Sequence, residues 1–340
     1  MRRQHRFHGA RRDLGLGLVW ACALAACGEP SDEALPTAIS AIEFHFAEDV
    51  VESVRADMRS TFDVAAEYFG DVGPVEFWVV GRDDSAARSL SRRFCELRAS
   101  AGQMDLADCL HYDGRADEFV RWAARARGGE VFFDAGWNGG FQWGLHTFSS
   151  SLPPGMAGVG DVRIEDDRTV LLHEYFHAVQ QSRVTTLDWE ERQELMGPVW
   201  WVEGSADYMA HVASQELHDS GRLAADPNFA GAPWIVRDRM LMALQVGLQL
   251  RAERPGLTLD AITYGPHAQI AYALGAWAVA LLCHRHGQGV LLESFYPVLE
   301  ELGWEGAFLH AFGESSRDFL SAFEDFLNQP VEVQSAILPW

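Results

Sequence analysis

The 340-residue chain predicts an α+β fold, with a small N-terminal sheet lobe over residues 41–164 and a mainly helical C-terminal lobe over residues 165–330. Three observations carry that expectation. Val75-Glu76-Phe77-Trp78-Val79-Val80 is a short β-branched and aromatic run stopped by Gly81, which is how a strand reads. Residues 129–150 are aromatic and Gly-rich, which suits short strands and loops of a small sheet. From residue 165 onward, long stretches repeat apolar residues at helical spacing.

The first 26 residues read as a targeting segment rather than as fold. Arg2, Arg3, Arg6, Arg11 and Arg12 form a charged start, and residues 14–26 form a 13-residue apolar run. A bilayer span needs about 20 residues, so this run is too short to cross one. It ends in Leu24-Ala25-Ala26-Cys27, which resembles a bacterial lipobox. That resemblance implies cleavage before Cys27, lipid attachment at Cys27 and a membrane-anchored protein of the cell envelope. Gly28 after Cys27 implies, by likeness to sorting in Gram-negative cells, the outer membrane. Residues 27–40 then read as a polar tether.

Within the N-terminal lobe, residues 47–69 predict an amphipathic helix, residues 75–80 a strand and residues 84–98 a helix. Val131-Phe132-Phe133 is a candidate edge strand, and the glycines of the following Asp134-Ala135-Gly136-Trp137-Asn138-Gly139-Gly140 read as a turn. Residues 149–161, with Pro153-Pro154 and several glycines, predict a flexible approach to the next helix. Residues 270–283 are continuously apolar or small and end in His284-Arg285-His286-Gly287, a helix C-terminus. At 14 residues this is a buried core helix and not a membrane span. Ser315 or Ser316 can cap a last helix reaching about Leu327.

The net charge is −22, and removal of residues 1–26, with five Arg and one Asp, deepens it to −26. Such acidity argues against nucleic acid, whose phosphates it repels. Of five cysteines, Cys22 lies in the targeting segment and Cys27 is the lipidation candidate. Cys95 and Cys109 could pair in an oxidising compartment, whereas Cys283 sits in an apolar helix as a buried thiol.

The chemistry concentrates in two helical segments. His173-Glu174-Tyr175-Phe176-His177 lies in a stretch without Gly or Pro from Arg168 to Thr186. On a helix, positions i and i+4 lie one above the other, so the two imidazoles can address one small cation. Glu174 is then within reach of a water on that cation. Twenty-six positions after His177, Glu203 sits in Trp200-Trp201-Val202-Glu203-Gly204-Ser205-Ala206-Asp207-Tyr208, on a helix predicted over residues 198–217. A His2Glu set with one coordination position open is the arrangement of a catalytic rather than a structural zinc. Asp207, four residues after Glu203, is placed to take the free ring N–H of one histidine and fix its tautomer.

The pairing of His173-Glu174-Tyr175-Phe176-His177 with Glu203-Gly204-Ser205-Ala206-Asp207 resembles the gluzincin branch of zinc metallopeptidases, and its wording is closest to the peptidase MA-like proteins. The likeness covers roughly residues 165–290. It implies a zincin-like fold, one zinc ion held by His173, His177 and Glu203, Glu174 as general base, and a peptide or protein substrate. Tyr272, in Tyr272-Ala273-Leu274-Gly275, resembles the Tyr-x-x-Gly helix of M1-type enzymes, where the hydroxyl faces the developing oxyanion. Tyr264 and His267 are the other candidates for that donor. There is no Gly-x-Met-Glu-Asn sequence of the kind that captures a free amine in M1 aminopeptidases, which leaves endopeptidase activity open. Manganese or cobalt could occupy the same ligands. The expectation is a lipid-anchored zinc peptidase. The rivals are an inactive metal-binding scaffold lipoprotein and an esterase or amidase acting on a non-peptide substrate.

Overall fold

A computed structural model describes residues 42–340 apart from residues 113 and 138. The targeting segment, the tether and Cys27 therefore lie outside the described residues. Those that are described belong to one compact unit and fold as α+β, with twelve α-helices around a four-stranded sheet.

The chain begins with β1 (Ile42–Phe46), α1 (Glu52–Phe69) and β2 (Val75–Val79). β1 and β2 are parallel, which requires a crossover between them, and α1 supplies it. α1 starts five residues later than the sequence predicts. The reason is local: Ala47 N–H donates to Val79 O, extending the strand pairing, and the Asp49 carboxylate accepts from the Arg82 and Asp83 amides. Residues 47–51 are thus committed to the sheet end before the helix can begin.

α2 (Asp84–Ser100), α3 (Leu106–Tyr112) and α4 (Gly114–Arg127) follow, with a Cys95–Cys109 disulfide joining α2 to α3. β3 (Ala135–Trp137) and β4 (His146–Ser150) complete the sheet in the order β1-β2-β4-β3. β4 runs parallel to β2, and β3 runs antiparallel to β4 along the sheet edge. The edge strand is therefore at 135–137, not at Val131-Phe132-Phe133, which is irregular. Gly136 lies in this strand and not in the expected turn. Its backbone pairs with Ser149, while Gly139 and Gly140, both at positive φ, lead into the loop that returns to β4.

β2 and β4 are buried along their whole length, as central strands covered on both faces should be. Ser149 and Ser150 belong to β4, so the predicted loop is shorter than expected. Its first part is buried and tied down, with Met156 N–H donating to Asp167 Oδ2 at 2.8 Å.

The rest is helical: α5 (Ile164–Gln181), α6 (Trp189–Met196), α7 (Val199–Asp219), α8 (Val236–Ala252), α9 (Ala268–His286), α10 (Leu299–Phe312), α11 (Ser316–Leu327) and α12 (Val331–Ser335). Ser315 caps α11, and the short α12 lies beyond the helix that the sequence made the last. α9 has 19 residues and a core almost wholly buried, and no helix among the described residues is long and apolar enough to cross a membrane. Cys283 is a buried thiol on α9, and its burial pushes the pKa up to about 12.

α7 packs against both α5 and α9 and so lies between them. Its approach to α9 is set by two glycines that face each other. A Cβ on Gly204 would fall 2.3 Å from the Gly275 carbonyl carbon, and one on Gly275 would fall 2.3 Å from Trp200 O. The helices meet almost backbone to backbone, which only glycine permits. Glu203, the residue before Gly204, is thereby fixed against α5 on one side and α9 on the other.

Candidate metal centre

α5 carries the first half of the site. Its opening turn holds Glu165, Asp166 and Asp167, charges that favour a helix N-terminus. Arg163 offers no side-chain cap, and the Ile164 amide instead donates to Asp226 Oδ2 at 3.1 Å, from a distant loop. One face of α5, from Asp166 through Thr169, Val170, His173, Glu174 and His177 to Gln181, forms the floor of a cavity of about 920 Å³. The walls come from β3, α6, α7, the residues around Trp234 and Arg239, and the segment with Tyr264 and Tyr272.

His173, His177 and Glu203 are all buried on this floor, with ligating atoms close enough to hold one ion. His173 Nε2 and His177 Nε2 are 2.9 Å apart, and Glu203 Oε2 lies 3.3 Å from each. The far ring nitrogens settle the proton positions. His173 Nδ1 is 2.7 Å from Asp207 Oδ1, and an ionised carboxylate can only accept. His177 Nδ1 is 2.7 Å from Gln180 Oε1. The Gln180 amide must present its oxygen there, because its Nε2 faces three oxygens that share its two hydrogens: Val202 O, Ser205 Oγ and, farther off at 3.2 Å, the Tyr296 hydroxyl. Both Nδ1 atoms therefore carry hydrogen, and each ring, when neutral, turns its Nε2 lone pair inward.

Three lone-pair atoms thus converge, and Glu203 Oε2 has no hydrogen bond to satisfy it. Such a cluster is repulsive unless a positive charge sits among its members. Without a metal that charge must be protons. Burial opposes protonation of His173, but Asp207 and Glu203 outweigh it and hold the ring well above the ordinary imidazole value. His177 is raised against the same burial cost, chiefly by Glu203. Glu203 is held well below the carboxylate range by the two histidines despite its burial. A divalent ion with bonds of about 2.0–2.2 Å to N and O suits this donor set, and the Nδ1–H partners on both histidines are those expected behind metal-bound imidazoles.

Glu174 is buried beside the cluster, with Oε2 lacking any partner. Burial raises its pKa against the pull of the two imidazoles, and the Glu203 and Asp207 charges add to the rise. Tyr264 donates its hydroxyl to Glu203 Oε1 at 2.6 Å, although much of its ring is exposed. Tyr272, on α9, stacks its ring on His173 with centroids 5.9 Å apart and planes 13° apart, and its hydroxyl interacts with Glu203. Burial and the Glu203 charge keep both phenols far above their ordinary value, so both are protonated donors. His267 stands at the N-terminus of α9 and is not among the residues that line the cavity, as Tyr264 and Tyr272 are.

Several functional contacts were not expected from sequence. Gln180 had an available signal, since it lies three positions after His177 and therefore on the same helix face. Trp234 and Arg239 had none. They reach Asp166 from more than sixty residues away, with Trp234 Nε1 2.8 Å from Oδ1 and Arg239 Nη2 2.7 Å from Oδ2. His211, one turn beyond Asp207, also lines the cavity and points Nδ1 at Asp207 O, 2.7 Å away. No family model, no curated protein and no solved structure matches the chain.

Proposed function

We propose that this chain is a zinc-dependent hydrolase of peptide bonds, of gluzincin type on a zincin-like fold. The observation that carries the reading is the inward convergence of the His173 and His177 Nε2 atoms and a Glu203 oxygen without a hydrogen bond, beside a buried Glu174 whose Oε2 also lacks one. His173, His177 and Glu203 would hold the ion. When bound, zinc supplies Lewis acidity to a carbonyl and lowers the pKa of water towards about 7.

The chain's own groups do the rest. Glu174 takes a proton from the attacking water and returns it to the departing amine, and its raised pKa suits both halves of that exchange. Tyr272 and Tyr264 are protonated donors within the site that can face negative charge on the substrate oxygen, and Tyr272 is the preferred one because its ring is fixed against His173. Asp207 and Gln180 hold the two imidazoles in one tautomer throughout. β3 is an edge strand whose Gly136 and Trp137 line the cavity, so an extended peptide can pair along it. A buried Glu174 with a free Oε2 favours a hydrolase over an inert metal-binding scaffold, which has no use for a buried base. Attachment to a membrane through Cys27 belongs to the same proposal and rests on the sequence alone.

Glu174→Gln tests the reading. Digestion of a peptide library by zinc-loaded protein should fall about 10²–10⁴-fold in rate while zinc content is unchanged. A wild-type protein that binds zinc yet cuts no peptide would sink the peptidase reading and leave the scaffold and the non-peptide esterase or amidase in its place.

A further inference from the structure

The cavity has two chemically different ends, and the contacts along α5 order them. From Asp166 to Gln181 the helix rises about 22 Å, with His173, Glu174 and His177 between. At about 3.3 Å per residue, an extended chain of six or seven residues spans that floor. The Asp166 end is polar, held by Trp234 and Arg239. The Gln181 end is aromatic.

Gln181 is joined to Arg192 through two bonds, from Nε to Oε1 at 2.8 Å and from Nη2 to the backbone oxygen at 2.6 Å. Arg192 is almost fully buried and lies over the Phe141 ring, 4.6 Å from its centroid. Phe141 in turn stacks with Trp137 and Trp189 at 6.1 and 5.9 Å. The two indoles are nearly coplanar in orientation, 5° apart, at 6.0 Å. Trp137 belongs to the edge strand and Trp189 opens α6, and both line the cavity. Trp189 is 51% exposed and follows Leu187, which is 67% exposed. A half-exposed indole stacked against a second indole and against Phe141, whose own ring lies under a buried guanidinium, is a prebuilt apolar surface. It stands beside the last turn of α5, whose Gln181 is about 6 Å of helix rise from His177.

We propose that Trp137 and Trp189, supported by Phe141 and Arg192, form a platform that selects a large apolar or aromatic side chain of an extended peptide substrate, one or two residues from the reacting bond. The platform binds whether or not turnover follows, and only the position of the reacting bond rests on the hydrolase reading. Large side chains gain from burial against such a surface, and stacked rings gain further.

The test uses zinc-loaded protein and matched decapeptides that carry Phe or Ala at each position in turn. Binding is read with the Glu174→Gln protein by anisotropy of labelled peptide, and cleavage is read with the protein carrying Glu174. Phe at one position should bind about 10-fold or more tightly than Ala. That ratio should shrink to near unity in a Trp189→Ala background and largely return in Trp189→Phe. Equal affinities for Phe and Ala peptides, no peptide binding at all, or a ratio untouched by Trp189→Ala would overturn the platform. Selective binding without cleavage would uphold the platform and sink the hydrolase reading. Cleavage indifferent to Phe or Ala would do the reverse.

Discussion

At the scale of single residues, the site depends on which ring nitrogen carries the proton, and that is decided by two different partners. Asp207 gives His173 a charged acceptor, whereas Gln180 gives His177 a neutral one. Gln180 is itself locked by Val202, Ser205 and Tyr296, and Ser205 Oγ also donates to Trp201 O at 2.6 Å. Replacing Gln180 with Leu removes the acceptor from His177 and frees the ring to turn. Zinc affinity should drop about 10–100-fold, as loss of such partners does, and competition against a calibrated chelator measures it. Unchanged affinity would show that His177 needs no orienting partner. The His173, Glu174, His177 and Glu203 set was legible in the sequence because helical spacing puts side chains on one face. The assignment of Asp207 to His173 rather than to His177 was not, because it depends on the rotation of α7 against α5.

At the scale of elements, the contact between α7 and α9 is the joint that places Glu203 and Tyr272 over α5. Gly204 looks in sequence like a tolerated defect in a helix, and Gly275 like part of a Tyr-x-x-Gly pattern. Their juxtaposition across two helices cannot be read from either segment alone. Gly204→Ala should cost about 1–3 kcal/mol or more of stability by overpacking, measured as a shift in urea midpoint, and should weaken zinc binding as Glu203 moves. A stable variant with full zinc affinity would show that the helices can separate without disturbing the site. The α2–α3 disulfide closes a loop of 14 residues. Its reduction should remove about 3 kcal/mol while leaving zinc affinity intact, since neither α2 nor α3 contributes a residue to the cavity lining. The short edge strand is hidden in the sequence for a physical reason. Three residues with a central Gly carry too little β pattern to outweigh the turn signal around them.

At the scale of the molecule, the helices from α5 onward were largely legible because their segments are long and periodic. The sheet was only partly so, because its strands are short and its two central ones are buried along their whole length. That burial sets a pH response. His45, stacked on Trp78 with ring centroids 3.8 Å apart, is lowered to about 4 by burial and by Arg93 and Arg98. His146, whose Nε2 meets Val72 O at 3.1 Å, is also lowered to about 4, mainly by burial. Between the unfolded value near 6.5 and the folded value near 4, the unfolded chain binds more protons. Stability therefore falls as pH drops through that window, by about 3 kcal/mol at most for each histidine. Urea midpoints between pH 7.5 and 4.5 should show the decline, with a shallower slope in His146→Gln; a flat profile would contradict it. The central claim is that two imidazoles and one carboxylate from α5 and α7 form a site for a single divalent ion. Calorimetric titration of the metal-stripped protein with zinc tests it most directly. One equivalent should bind to the wild type, with almost none to His177→Ala or Glu203→Ala. A wild type that takes up no zinc, or a His177→Ala protein that binds it as tightly, would contradict the account.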